Sequence, residues 1–124
     1  MVYKRNTFKK RSLEALRQIL FLPPPTHLIE LRLVDCQTSV DTMKDLHKML
    51  VNSGHFLRSL ALVDMKLDFP LDDLAHFVDV NDCLTDLDLS GNNLLPLHFV
   101  NLLKALAFDK TLINVNLSWN SLIN

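Results

Sequence analysis

The chain has little of what would mark it as anything but a packed domain. Only 2 of its 124 residues are glycine and 5 are proline, which excludes a collagen-like or low-complexity chain. Two cysteines, Cys36 and Cys83, are too few for a disulfide scaffold and stand at no C-x-x-C spacing. They are expected as small, buried, reduced side chains in an intracellular setting. No apolar run approaches the roughly 20 residues a membrane-spanning helix needs, and none follows the N-terminal charges as a signal peptide would. A phosphate-binding loop, a G-x-S-x-G elbow and an H-E-x-x-H pair are all missing. No catalytic, cofactor-binding or metal-binding residue is therefore expected, and the chain is read as a non-enzyme.

The net charge of −1 conceals a division. Lys4, Arg5, Lys9, Lys10 and Arg11 fall within the first eleven residues, without one acid. The remainder carries eight basic against fourteen acidic side chains. Residues 1–11 are read as a basic, poorly ordered arm. With neither interleaved aromatics nor a groove-binding motif, the arm does not point to nucleic acid.

A repeat is present in the body. The pattern L-x-x-L-x-L-x-x-N runs from Leu28 to Cys36, Leu57 to Met65, Leu84 to Asn92 and Leu112 to Asn120, with starts at 28, 57, 84 and 112. Leu67, Leu94 and Leu122 follow the last three copies at the same offset. The second and third apolar positions lie two apart, so on a strand they share one face. Between copies the period changes to helical: Met43, Leu46, Met49 and Leu50; Leu71, Leu74 and Val78 after Pro70; Phe99, Val100, Leu102, Leu103 and Leu106 after Pro96. Leu13, Leu16, Ile19 and Leu20, with Ser12 as cap and Pro23–Pro25 as stop, predict a capping helix or half-repeat over 12–27. The fourth copy has no helix after it. Its apolar edge, Val115, Leu117, Leu122 and Trp119, is expected to lack neighbours, which suggests a piece of a longer chain or larger complex.

Four copies in phase over residues 28–124 resemble the ribonuclease-inhibitor-like, helix-containing subclass of leucine-rich repeats. That resemblance implies an α/β solenoid, a horseshoe segment with a parallel concave sheet and convex helices. It also implies a protein-binding or scaffold role in the cytoplasm. Two alternatives are a regulatory module of a larger assembly (a sensor array or GTPase activator) and a structural subunit of a cytoskeletal or ciliary complex. In such repeats the residue ending the motif turns the chain inward and bonds to backbone. Asn92 and Asn120 suit this role, and Cys36 is a familiar substitute. Met65 is a departure, because a thioether is a poor partner for a backbone donor, and strain or extra water is expected near it.

The positions between ladder leucines would face the concave side: Glu30 and Arg32, Ser59 and Ala61, Asp86 and Asp88, Asn114 and Asn116. Trp119 joins them as a candidate anchor. Such a platform suits a protein ligand better than a small molecule, and its acidic stretch suits a basic partner segment. Arg32 is the one arginine at a central strand position, and no motif supports a GTPase-activating role for it. His27, His47, His55, His76 and His98 include no pair at ligand spacing on one helix face and are read as ordinary surface or loop residues. Asp72, Asp73, Asp79 and Asp82 are read as the solvated face of a helix, favoured near its N-terminus by the dipole.

Overall fold

The computed structural model describes residues 2–9, 26–36, 40–53, 56–67, 70–108 and 111–120. They form an α/β fold around one parallel sheet. The strands are β1 (Val2–Lys9), β2 (Thr26–Val34), β3 (Ser59–Val63), β4 (Asp86–Asp88) and β5 (Asn114–Asn116), and they lie side by side in chain order. Parallel neighbours need a crossover. The crossovers described are α1 (Val40–Ser53), α2 (Asp72–Val80), and a 3-10 turn at Pro96–His98 running into α3 (Val100–Phe108). The two prolines act differently from one another. Pro96 stands inside the 3-10 turn, whereas Pro70 precedes Leu71, the N-cap of α2. Asp72 and Asp73 fill the first turn of α2, where the dipole favours them.

Register follows the motif. Leu31 pairs with Leu60 and Leu60 with Leu87; Leu33 pairs with Leu62. All these leucines are buried, and they join Met43, Leu46, Leu74, Phe77, Phe99 and Leu102 of the crossovers in a single core. The ladder changes at β5. Val115 pairs with Leu87 yet is 41% exposed where Leu87 is 1%, because β5 is an edge of the sheet.

Two expectations are corrected. The basic arm is not a loose lead-in: Val2–Lys9 is a strand, with Asn6 opposite Leu31 and Phe8 opposite Leu33. Parallel pairing satisfies backbone donors and acceptors whatever charge the side chains carry, and Val2, Tyr3, Thr7 and Phe8 are good strand formers. Of the unit expected over 12–27, only Thr26 and His27 are described, and they open β2. The capping helix itself lies outside the described residues.

The second correction concerns Met65 as an acceptor; strain beside it is present, since Lys66 has a φ of 55°. Asn120 Oδ1 accepts the Asn92 N–H at 3.1 Å. Asn92 Oδ1 accepts the Met65 N–H at 2.7 Å. Met65 Sδ then accepts the Cys36 N–H at 3.4 Å. The thioether thus occupies the acceptor rung of an amide, and the flexible side chain lets its sulfur reach it. What methionine lacks is the donor. Asn92 Nδ2 reaches Leu62 O at 2.6 Å, Leu89 O at 2.9 Å and Ser90 O at 3.3 Å, while Cys36 Sγ contacts Val34 O at 3.6 Å. Leu62 O, the carbonyl three residues before Met65, is served from Asn92 instead.

A second row of bonds runs beside the first. The N–H of Asp35 donates to Val63 O at 2.9 Å, that of Asp64 to Ser90 O at 3.1 Å, and that of Gly91 to Ser118 O at 2.9 Å. Asp35, Asp64 and Gly91 all have positive φ, a conformation that Asp and Gly tolerate best. At Gly91 a Cβ would also collide with the Asp64 carboxylate.

Core and edge should respond differently to truncation. Leu89→Ala, at a fully buried position, is expected to cost about 2–5 kcal/mol. Val115→Ala should cost under about 1 kcal/mol. Denaturant unfolding of both variants checks this; equal losses would contradict the stated ladder.

Candidate functional site

Strand alternation sends the residues between the ladder leucines to the other face of the sheet. Glu30, Arg32, Ser59, Ala61, Asp86, Asp88, Asn114 and Asn116 all line one groove there, of about 740 Å³. Ile29, Leu60, Leu87 and Val115 contribute its apolar floor, and Arg58 and Thr85 add to its lining. Eight of the nine positions expected at a binding face are thus brought together.

Register arranges them in two rows. One runs Glu30, Ser59, Asp86, Asn114, and the other Arg32, Ala61, Asp88, Asn116. In the backbone register Arg5 of β1 pairs with Glu30 and Thr7 with Arg32.

Within the rows the side chains are held. Asp86 Oδ1 accepts the Asn114 amide at 2.7 Å, and Asp86 Oδ2 lies 2.9 Å from the Thr85 hydroxyl. Two neutral donors therefore meet Asp86, and no cation pairs with it among the described residues. Asp88 Oδ1 accepts the Ser90 N–H at 3.0 Å, and Asn116 Oδ1 accepts the Ser118 N–H at the same distance. Both are Asx turns that recur one unit apart. The second carboxylate oxygen of Asp88 lies 3.8 Å from Arg32 Nη1. Arg32 and Asp88 are two strands apart, so the pair crosses the row position of Ala61. Alanine's methyl leaves the guanidinium room to pass, and Ala61 is only 5% exposed although it lies on the groove side.

Trp119 is not at this site. Its place in the motif matches Gly91, in the turn after the strand, where alternation has ended. It has φ of 60° and is 85% exposed. A bulky side chain rarely adopts that backbone conformation. It does not line the groove.

On the helical side, contacts form between equivalent positions of successive units. Asn101 Nδ2 donates to Asp72 Oδ1 at 2.8 Å. His47 Nε2 and His76 Nδ1 lie 2.8 Å apart. Scanning for ligand spacing along one helix missed this second pair. The available signal was its separation of 29, the offset that also pairs Leu31 with Leu60.

Among the described residues, no group of three or more His, Cys, Asp or Glu side chains could hold a metal ion, and no helix is long and apolar enough to cross a membrane. No family model matches the chain, and no curated protein or solved structure matches it either.

The Arg32–Asp88 pair is partly exposed, with side chains 44% and 26% accessible. A double-mutant cycle on Arg32→Ala and Asp88→Ala should give a coupling of no more than about 1 kcal/mol. A coupling near 3 kcal/mol would identify a desolvated structural pair instead of a surface one.

Proposed function

We propose that this chain is a segment of a leucine-rich repeat solenoid that binds a protein partner along the groove face of its sheet, without catalysis or cofactor. The partner presents a basic segment to it. The observation that carries this reading is the division made by the motif. Its second and third apolar positions enter the core at β2, β3 and β4, while the intervening residues line one groove. The groove crosses several strands and is lined largely by carboxylate, amide and guanidinium groups. This chemistry suits an extended polypeptide better than a small apolar ligand.

The charge preference rests on Asp86 and Asp88. Asp86 is held by neutral donors, so its charge is available to an incoming Lys or Arg. Asp88 is matched by a single long contact, which a partner guanidinium with fork geometry could replace. Electrostatic complementarity of this kind favours encounter and selects against acidic partners. We place the segment in the cytoplasm, as part of a longer chain or larger complex; Cys36, which is buried, and Cys83, which is half-buried, form no disulfide, and this suits a reducing compartment.

Selection of displayed random peptides on the intact chain tests the reading. Enrichment of Lys- and Arg-containing sequences is expected. Their affinity should fall at least about tenfold, or 1.4 kcal/mol, when Asp86→Asn and Asp88→Asn are combined, and should change little with Asp79→Asn on exposed α2. Peptides without basic bias, or equal sensitivity to Asp79→Asn, would count against it.

A further inference from the structure

We propose that His47 and His76 form a two-histidine site for a borderline transition-metal dication, with Zn²⁺ as its probe. The site lies on the helical side of the sheet and is independent of the groove. Its basis is geometric. His47 Nε2 and His76 Nδ1 approach to 2.8 Å, and the ring centroids are 5.0 Å apart with planes inclined at 60°. At that distance one nitrogen carries the shared hydrogen and the other offers its lone pair. Both nitrogens therefore point into the same small volume.

A tetrahedral ion with Zn–N bonds of about 2.0–2.1 Å needs its two nitrogens about 3.3 Å apart. Opening the pair by about half an ångström is enough. His47 is half-buried and His76 exposed, so rotation of the outer ring supplies that movement without disturbing the core. Protons balance simply. When both rings are neutral, the shared hydrogen moves to the other nitrogen of its own ring, and two lone pairs then face the ion with no net proton released. Imidazole nitrogens suit Zn²⁺ and Cu²⁺ and do not suit Mg²⁺.

The surroundings favour a dication. Asp73 stands one helical turn before His76 and lines the same small cavity as His47. Two protein ligands leave the remaining coordination positions to water, which matches the exposure of the pair. Because the rings come from α1 and α2, a single ion would fasten together the crossovers of successive units. It would thus stabilise the folded chain by an amount that rises with the logarithm of ion concentration above Kd.

The test is titration of the intact chain with Zn²⁺ by calorimetry, with thermal unfolding followed in parallel. One equivalent should bind and the unfolding midpoint should rise with Zn²⁺ concentration, while Mg²⁺ should do neither. His47→Gln and His76→Gln should each weaken binding at least about tenfold. Ring-nitrogen resonances of the unmodified chain give a readout that needs no variant: Zn²⁺ should move those of His47 and His76 together. Absence of Zn²⁺ binding, a response in only one of the two rings, or unchanged affinity in either variant would overturn the proposal.

Discussion

The buried side-chain amide of Asn92 ties the structure together. It is 0% exposed and joins two successive turns: it accepts from Met65 and reaches the carbonyls of Leu62, Leu89 and Ser90. The chain must leave each strand through a tight turn, and the turn exposes backbone groups that no sheet partner can reach. Left unpaired in the interior, each would cost about 1–3 kcal/mol. One amide satisfies several of them at once and fixes the spacing of successive units. Only with that spacing do Leu60, Leu87 and their neighbours stack, and only then do the residues between them align in two rows.

The row of side chains that performs this task is chemically uneven. Asn120 and Asn92 supply both a donor and an acceptor. Met65 supplies an acceptor alone, and Cys36 bonds through sulfur to the carbonyl of Val34. Amide gives way to sulfur on passing from β5 toward β2. The turn at Met65 is nonetheless closed, because the neighbouring Asn92 provides the missing donor to Leu62 O. Sharing of this sort lets one weak position stand between stronger ones. The same interdependence extends to the groove, where Asp88 both closes its own Asx turn and meets Arg32 across Ala61.

Much of this was legible in the residues. The apolar spacing of the four copies located β2 to β5, the core leucines of β2 to β4 and eight groove positions. The helical spacing of Met43, Leu46, Met49 and Leu50 located a helix. What escaped depended on distance along the chain or on competition between signals. Five cationic side chains outweighed the strand-forming residues of Val2–Phe8, although parallel pairing is indifferent to that charge. The value of sulfur at Met65 depends on where the Cys36 N–H lies, twenty-nine residues away. The His47–His76 contact likewise exists only because two helices are set side by side. Trp119 was placed on the binding face for its indole, but it stands in the turn after the strand, where the backbone has already become left-handed.

Hydrogen exchange at the Met65 amide addresses the central claim most directly. This N–H belongs to no strand or helix, and its acceptor is the Asn92 side chain. If that amide holds successive units together, the Met65 N–H should exchange only through large-scale opening, as slowly as the core amides of β3. The neighbouring exposed Lys66 should exchange far faster. Exchange of Met65 at the rate of an ordinary loop amide would contradict the account.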